Sequence, residues 1–164
     1  MKQIGLILAI GMIQVLPLLS QNINIPDQCF IDALIRAGAD TNGDELISYT
    51  EAETLEELIT YGGCITDLTG IEAFTNLKHL DCAENQIREL DLSTLSKLEF
   101  LNCTVNKLSS LDLTNNPLLD TLFCGHNALS SLDLSPCPGL KIVYAAHNQL
   151  EELDLTQNTK LKRF

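Results

Sequence analysis

From residue 77 onward the same residue types return every 21 positions. Leu77, Leu98, Leu119, Leu140 and Leu161 form one column, and Leu80, Leu101, Leu122, Val143 and Phe164 form the next. Cys82, Cys103, Cys124 and Ala145 follow, then Asn85, Asn106, Asn127 and Asn148, then Ile87, Leu108, Leu129 and Leu150. Such a period constrains the fold more tightly than composition does. Every unit must adopt the same local structure, and its apolar columns are buried only by stacking on the next unit. Four units are complete, Leu77 to Lys160, and a fifth stops after four residues. An irregular half-unit, Ile65, Leu68, Ile71 and Phe74, precedes them.

The unit reads LxxLxCxxNxLxxLDL, which resembles the leucine-rich repeat LxxLxLxxNxL. The resemblance implies an α/β repeat: a leucine-rich-repeat solenoid with a parallel β-sheet on its strand face. LxxLxC is then a short strand whose inward side chains stack from coil to coil. The asparagine turns the chain out of the strand, and its amide satisfies backbone groups that the turn buries. Leu90, Leu111, Leu132 and Leu153, with Leu92, Leu113, Leu134 and Leu155, flank Asp91, Asp112, Asp133 and Asp154 on the return side. This LxxLDL resembles the bacterial 21-residue subclass and predicts a short second strand with its aspartate facing water. Four parallel carboxylates about 5 Å apart repel rather than enclose an ion. Hydrogen bonds to amides of the neighbouring coil are the expected role of these aspartates.

Cys82, Cys103 and Cys124 lie in the inward column and read as buried free thiols, since parallel Cβ vectors suit a disulfide badly. Cys137, inside Ser135-Pro136-Cys137-Pro138-Gly139, reads as an exposed turn residue. Cys29 and Cys64 flank the N-terminal cap, either as a disulfide or as two buried thiols. His126 and His147 stand at equivalent positions just before the asparagines, with Glu84 further along that column. Without a third close ligand they read as an exposed histidine pair.

The first twenty residues differ in kind. Lys2 is their only charge, and Ile4 to Leu19 is apolar apart from Gly5, Gly11, Gln14 and Pro17. A cationic start, a hydrophobic stretch and a small Ser20 before a polar segment predict a secretory signal peptide, residues 1–20. Cleavage there leaves no transmembrane segment. The whole chain carries 22 acidic against 10 basic side chains, so it lacks the cationic surface that nucleic acid requires.

Residues 21–63 form the predicted helical cap, and residues 64–164 the repeat array. Pro26-Asp27 opens an amphipathic helix with Phe30, Ile31, Leu34 and Ile35 on one face, ending near Gly38. A second helix is predicted from Glu51 to Ile59. The segment between them resembles an EF-hand or dockerin-type calcium loop. That resemblance implies calcium held by Asp40, Asn42, Asp44, the carbonyl of Leu46, Ser48 and Glu51. Glu45 stands where such loops normally place glycine. A polar turn with a Ser48–Glu51 capping box is the alternative. The cap, together with Ile65 to Leu77 and the repeats, resembles the start of bacterial internalin-like surface proteins.

No nucleophile sits in a catalytic constellation and no phosphate loop appears, so the chain reads as a binding module and not an enzyme. The resemblance implies a secreted or cell-surface recognition or adhesion module that takes a protein or a surface glycan on its strand face. The outward strand positions include His79, Asp81, Phe100, Asn102, Phe123, Ile142 and Tyr144. Phe123 and Tyr144 are expected as stacked neighbours, with Phe100 and Ile142 diagonally beside them. The alternative is a spacer or fragment of a larger secreted protein.

Overall fold

A computed structural model describes residues 21–60 and 62–162, so the predicted signal peptide lies outside the described residues. Five short parallel strands build one sheet in sequence order: β1 (Glu57–Ile59), β2 (His79–Asp81), β3 (Phe100–Asn102), β4 (Thr121–Phe123) and β5 (Ile142–Tyr144). Each strand is three residues long, and its central residue is buried between two outward neighbours. The pairing is unslipped: Leu58, Leu80, Leu101, Leu122 and Val143 stand opposite one another from coil to coil. One continuous aliphatic core runs the length of the stack. This is the parallel solenoid that the 21-residue period demands.

The asparagine column closes each strand turn as its chemistry predicts. Asn106 Nδ2 donates to the carbonyls of Cys82 (2.9 Å) and Cys103 (3.1 Å), and its Oδ1 accepts from Ile87 N at 3.0 Å. Asn127 and Asn148 repeat the pattern one and two coils on. One side chain therefore ties its own coil to the preceding one. Burying such groups unpaired costs about 1–3 kcal/mol each.

The cap begins with the antiparallel bridge Asn22–Ser48 and helix α1 (Gln28–Arg36). Asp27 caps α1, its Oδ1 accepting from Phe30 N at 3.1 Å. Its other oxygen accepts from Thr66 N and Thr66 Oγ1, both at 2.9 Å, and so fastens the helix to the first coil. Phe30 and Leu34 are buried as the helical spacing predicts. The disulfide Cys29–Cys64 joins the same two regions, with Cα atoms 6.1 Å apart.

Four expectations need correction. The second helix, α2 (Tyr49–Ala52), is a single turn, and Glu57–Ile59 is strand β1 rather than its continuation. No second strand forms on the return side among the described residues. The aspartates there cap turns of their own coil: Oδ1 of Asp91, Asp112, Asp133 and Asp154 accepts the amide two residues on, at 2.8–2.9 Å. An Asx turn bends the chain where a strand would have to run straight. Cys137 is fully buried, its Sγ donating to the carbonyl of Asn116 at 3.4 Å. It belongs to an inward column, Phe74, Leu95, Asn116, Cys137 and Asn158, whose members are all buried.

Candidate strand-face binding site

The outward residues of β2 to β5 make two parallel rows. One is His79, Phe100, Thr121 and Ile142; the other is Asp81, Asn102, Phe123 and Tyr144. In a parallel, unslipped ladder each side chain projects beside its counterpart about 5 Å away. Stacking then needs no sequence neighbours. The His79 and Phe100 rings lie face to face, centroids 4.0 Å apart and planes 3° from parallel. Phe100 meets Phe123 diagonally at 5.8 Å with the planes tilted by 54°. Three rings thus form one connected band across β2, β3 and β4.

Tyr144 behaves differently from the expected stack. It is the register neighbour of Phe123, but its ring lies over Gly125. A Cβ at residue 125 would collide with that ring, so the glycine is what lets Tyr144 lie down on the sheet. Tyr144 remains 39% exposed. Gly125 was not singled out from the sequence, and neither was Thr121, although Thr121 is 21 residues after Phe100 and shares its row. Asp81 and Asn102 are joined by a 3.1 Å hydrogen bond from Asn102 Nδ2 to Asp81 Oδ2. Beside the band, Lys141 pairs with Asp120 at 2.8 Å and Lys78 with Glu56 at 2.8 Å. The face therefore combines aromatic surface, an amide–carboxylate pair and charged margins.

Beneath it the thiols of Cys82, Cys103 and Cys124 are free and buried. Burial pushes Cys82 and Cys124 up to about 12 and Cys103 well above the ordinary thiol value. They are packing groups, since the reactive form is the thiolate.

The acidic loop is folded around its own amides. Asp40 accepts from the amides of Gly43, Asp44 and Glu45 at 2.8–3.2 Å, Asn42 from Asp44 N at 2.8 Å, and Asp44 from Leu46 N at 3.0 Å. Glu45 takes the left-handed backbone, φ 63°, that a glycine would otherwise supply. Glu51 forms the capping box with Ser48 and also holds the loop. Its Oε1 accepts from Thr41 N, Thr41 Oγ1 and Asn42 N, and its Oε2 from Ser48 N and Ser48 Oγ, all within 2.7–3.3 Å. These bonds, led by the one from the Ser48 amide, outweigh the burial of the carboxyl and lower it to about 2. Among the described residues no three Asp, Glu, His or Cys side chains converge as a metal set.

Fold and site together define a leucine-rich-repeat solenoid with an aromatic strand face. Its fold is that of the internalin repeat domains. Over 87% of its length the chain is similar to a functional domain of InlJ from Listeria monocytogenes that includes a cysteine ladder, with 37% identity and a TM-score of 0.80. It is also similar to the internalin InlF of the same organism, at 25% identity over 89% of the chain and a TM-score of 0.65. A leucine-rich-repeat protein of Leptospira interrogans, at 22% identity over 71% of the chain and a TM-score of 0.53, shares the fold. The chain spans 32% of the InlJ structure and 52% of the InlF structure. No protein-family profile and no curated protein matches the sequence.

Proposed function

We propose that the chain is a secreted or cell-surface recognition module that binds a protein through the strand face, centred on His79, Phe100, Phe123, Ile142 and Tyr144. The connected ring band His79–Phe100–Phe123 carries this reading. Aromatic side chains offer large apolar area with few torsions to freeze, and here a rigid sheet already fixes their spacing. The likeness to internalin repeat domains supports a protein-binding role. The apolar run of residues 4–19 supports export. No helix of the described residues is long and apolar enough to cross a membrane. A photo-crosslinking residue at position 100 or 123 is expected to capture the partner, whereas one at position 112 does not. Capture from position 112 alone moves the site to the return side.

Calcium binding in the cap is a separate reading. It rests on the alternating oxygen side chains of Asp40, Asn42 and Asp44 and on the left-handed backbone at Glu45. Glu51 must then exchange its bonds from Thr41, Asn42 and Ser48 for the ion. Titration calorimetry is expected to show one calcium per chain, absent in Asp40→Ala. Absence of heat at millimolar calcium leaves the loop as a capping structure alone.

A further inference from the structure

His126 and His147 precede the asparagine column in consecutive coils, and their rings stack with centroids 4.1 Å apart and planes 20° from parallel. Both side chains are exposed. Both backbones are left-handed, at φ of 55° and 59°, where any residue with a Cβ is disfavoured and asparagine or glycine is favoured. The coil imposes this conformation, since Glu84 and Val105 share it at the equivalent positions, each at φ 55°. It does not impose an imidazole: glutamate and valine fill the position in the two preceding coils. The main chain is fixed on both sides, with His126 N donating to Ala146 O at 2.9 Å and Asn127 N to His147 O at 3.2 Å. Two solvent-facing imidazoles are therefore held side by side on a rigid frame.

We propose that His126 and His147 form a bidentate site for a divalent transition metal of the zinc, nickel or copper class. Imidazole nitrogen suits these ions, whereas calcium and magnesium take oxygen donors. Tetrahedral zinc with Zn–N bonds of about 2.0–2.1 Å needs its two nitrogens about 3.3 Å apart. The rings stack at 4.1 Å with nearly parallel planes, so binding one ion requires them to unstack and splay about their own side-chain torsions. Both side chains are exposed, and this rotation leaves the ladder unchanged. Glu84 lies two coils from His126, about 10 Å along the stack, and stays out of the set. The protein thus supplies two ligands, and water or a donor on another molecule fills the remaining positions. The chain's net charge of −12 raises the local concentration of cations. This site does not depend on the strand-face reading, and either stands if the other fails.

The test uses the untagged full chain in millimolar calcium, which occupies oxygen sites and leaves imidazoles untouched. Zinc and then nickel are titrated by calorimetry while the histidine ring resonances are followed by NMR. One ion per chain is expected, with the His126 and His147 signals moving together. H126N and H147N each replace histidine by the non-glycine residue that best tolerates a left-handed backbone, so circular dichroism and melting temperature should be kept. Each is expected to weaken binding roughly tenfold or more, because the second ligand no longer acts at high effective concentration. H79N, which removes the third histidine, should bind like the parent. Absence of saturable binding up to millimolar metal overturns the proposal. So does binding that persists undiminished in H126N and H147N, or that disappears in H79N.

Discussion

The strand side and the return side of each coil are built from the same 21-residue period, yet they solve opposite problems. On the strand side only the middle residue of each strand is fixed by burial, and the outward positions differ from coil to coil. His79, Phe100, Thr121 and Ile142 share one row; Asp81, Asn102, Phe123 and Tyr144 share the other. On the return side the outward position is aspartate in all four units, and each aspartate is spent on the amide two residues on. Regular backbone pairing on one side satisfies most of the chain without help from outward side chains. Asp81 and Asn102 are exceptions, accepting the amides of Ala83 and Thr104 at 3.1 and 3.2 Å, and the aromatic positions are left free for recognition. The irregular side has no such ladder, so its polar side chains must satisfy the backbone locally. A surface can vary only where its side chains are not already holding the fold.

The largest effect should come from the core that both sides share. Leu122 is fully buried at the centre of β4. Leu122→Ala removes packing from two neighbouring coils and is expected to cost about 2–5 kcal/mol in chemical denaturation. Both faces should weaken together, because each coil contacts only its neighbours. Loss of strand-face binding with unchanged stability would mean that the two sides are less coupled than the common core implies.

The next effect separates the sides. Phe123→Ser combined with Tyr144→Ser removes two outward side chains and no inward column. Stability should change little, while affinity for the captured partner should fall by at least roughly 2 kcal/mol, as expected of aromatic hot spots. Surface plasmon resonance beside a thermal melt tests both halves. A large drop in melting temperature would place these rings among the groups that hold the fold.

The same contrast explains what was legible in the sequence. Inward positions repeat because each must fill an identical slot, so the columns of Leu80, Cys82 and Asn85 were readable by offset alone. The first coil escaped because it is one residue longer: Leu58 is 22 residues before Leu80, and the extra residue falls at Thr69-Gly70. Gly70 adopts φ 104° there, and a Cβ would press on Ile23 and Ile25 of the N-terminal segment. Broken periodicity left Glu51 to Ile59 to be read by helical spacing, which a three-residue strand satisfies equally well. Cys137 was misplaced by its Pro-Cys-Pro context, a turn signature that says nothing about which way the middle side chain points. Counting 21 back leads to Asn116, a polar residue that conceals an inward column. Asn116 is nevertheless fully buried, its Nδ2 donating to the carbonyls of Leu92 and Leu95 at 3.1 and 2.9 Å. The aromatic band was legible as a set of outward positions, but not its ring contacts. Side-chain torsions decide that Phe100 stacks on His79 and that Tyr144 leans over Gly125, and no spacing rule encodes them.

The smallest effect should belong to the return side, and its smallness is the point of the comparison. Asp112 accepts from Thr114 Oγ1 at 2.6 Å and from Thr114 N at 2.9 Å, and these two bonds hold its carboxyl below the ordinary aspartate value. A lowered folded value means that the carboxylate's contribution is present above the ordinary carboxylate range, near about pH 4, and is lost as pH falls through that range and below. Asp112→Ser with Asp133→Ser should therefore lower the melting temperature by no more than a few degrees at pH 7. The Asp112 part of the gap between variant and parent should narrow as the pH is taken below about 4, because protonation weakens that cap in the parent. Serine at both positions still offers an oxygen to the amide two residues on, so the turns keep their shape. Partner binding should be unchanged at every pH where both proteins are folded. If this double variant abolishes binding while the Phe123 and Tyr144 variant binds normally, the varied side is not the recognising side. The uniform aspartates would then be ligand contacts as well as turn caps.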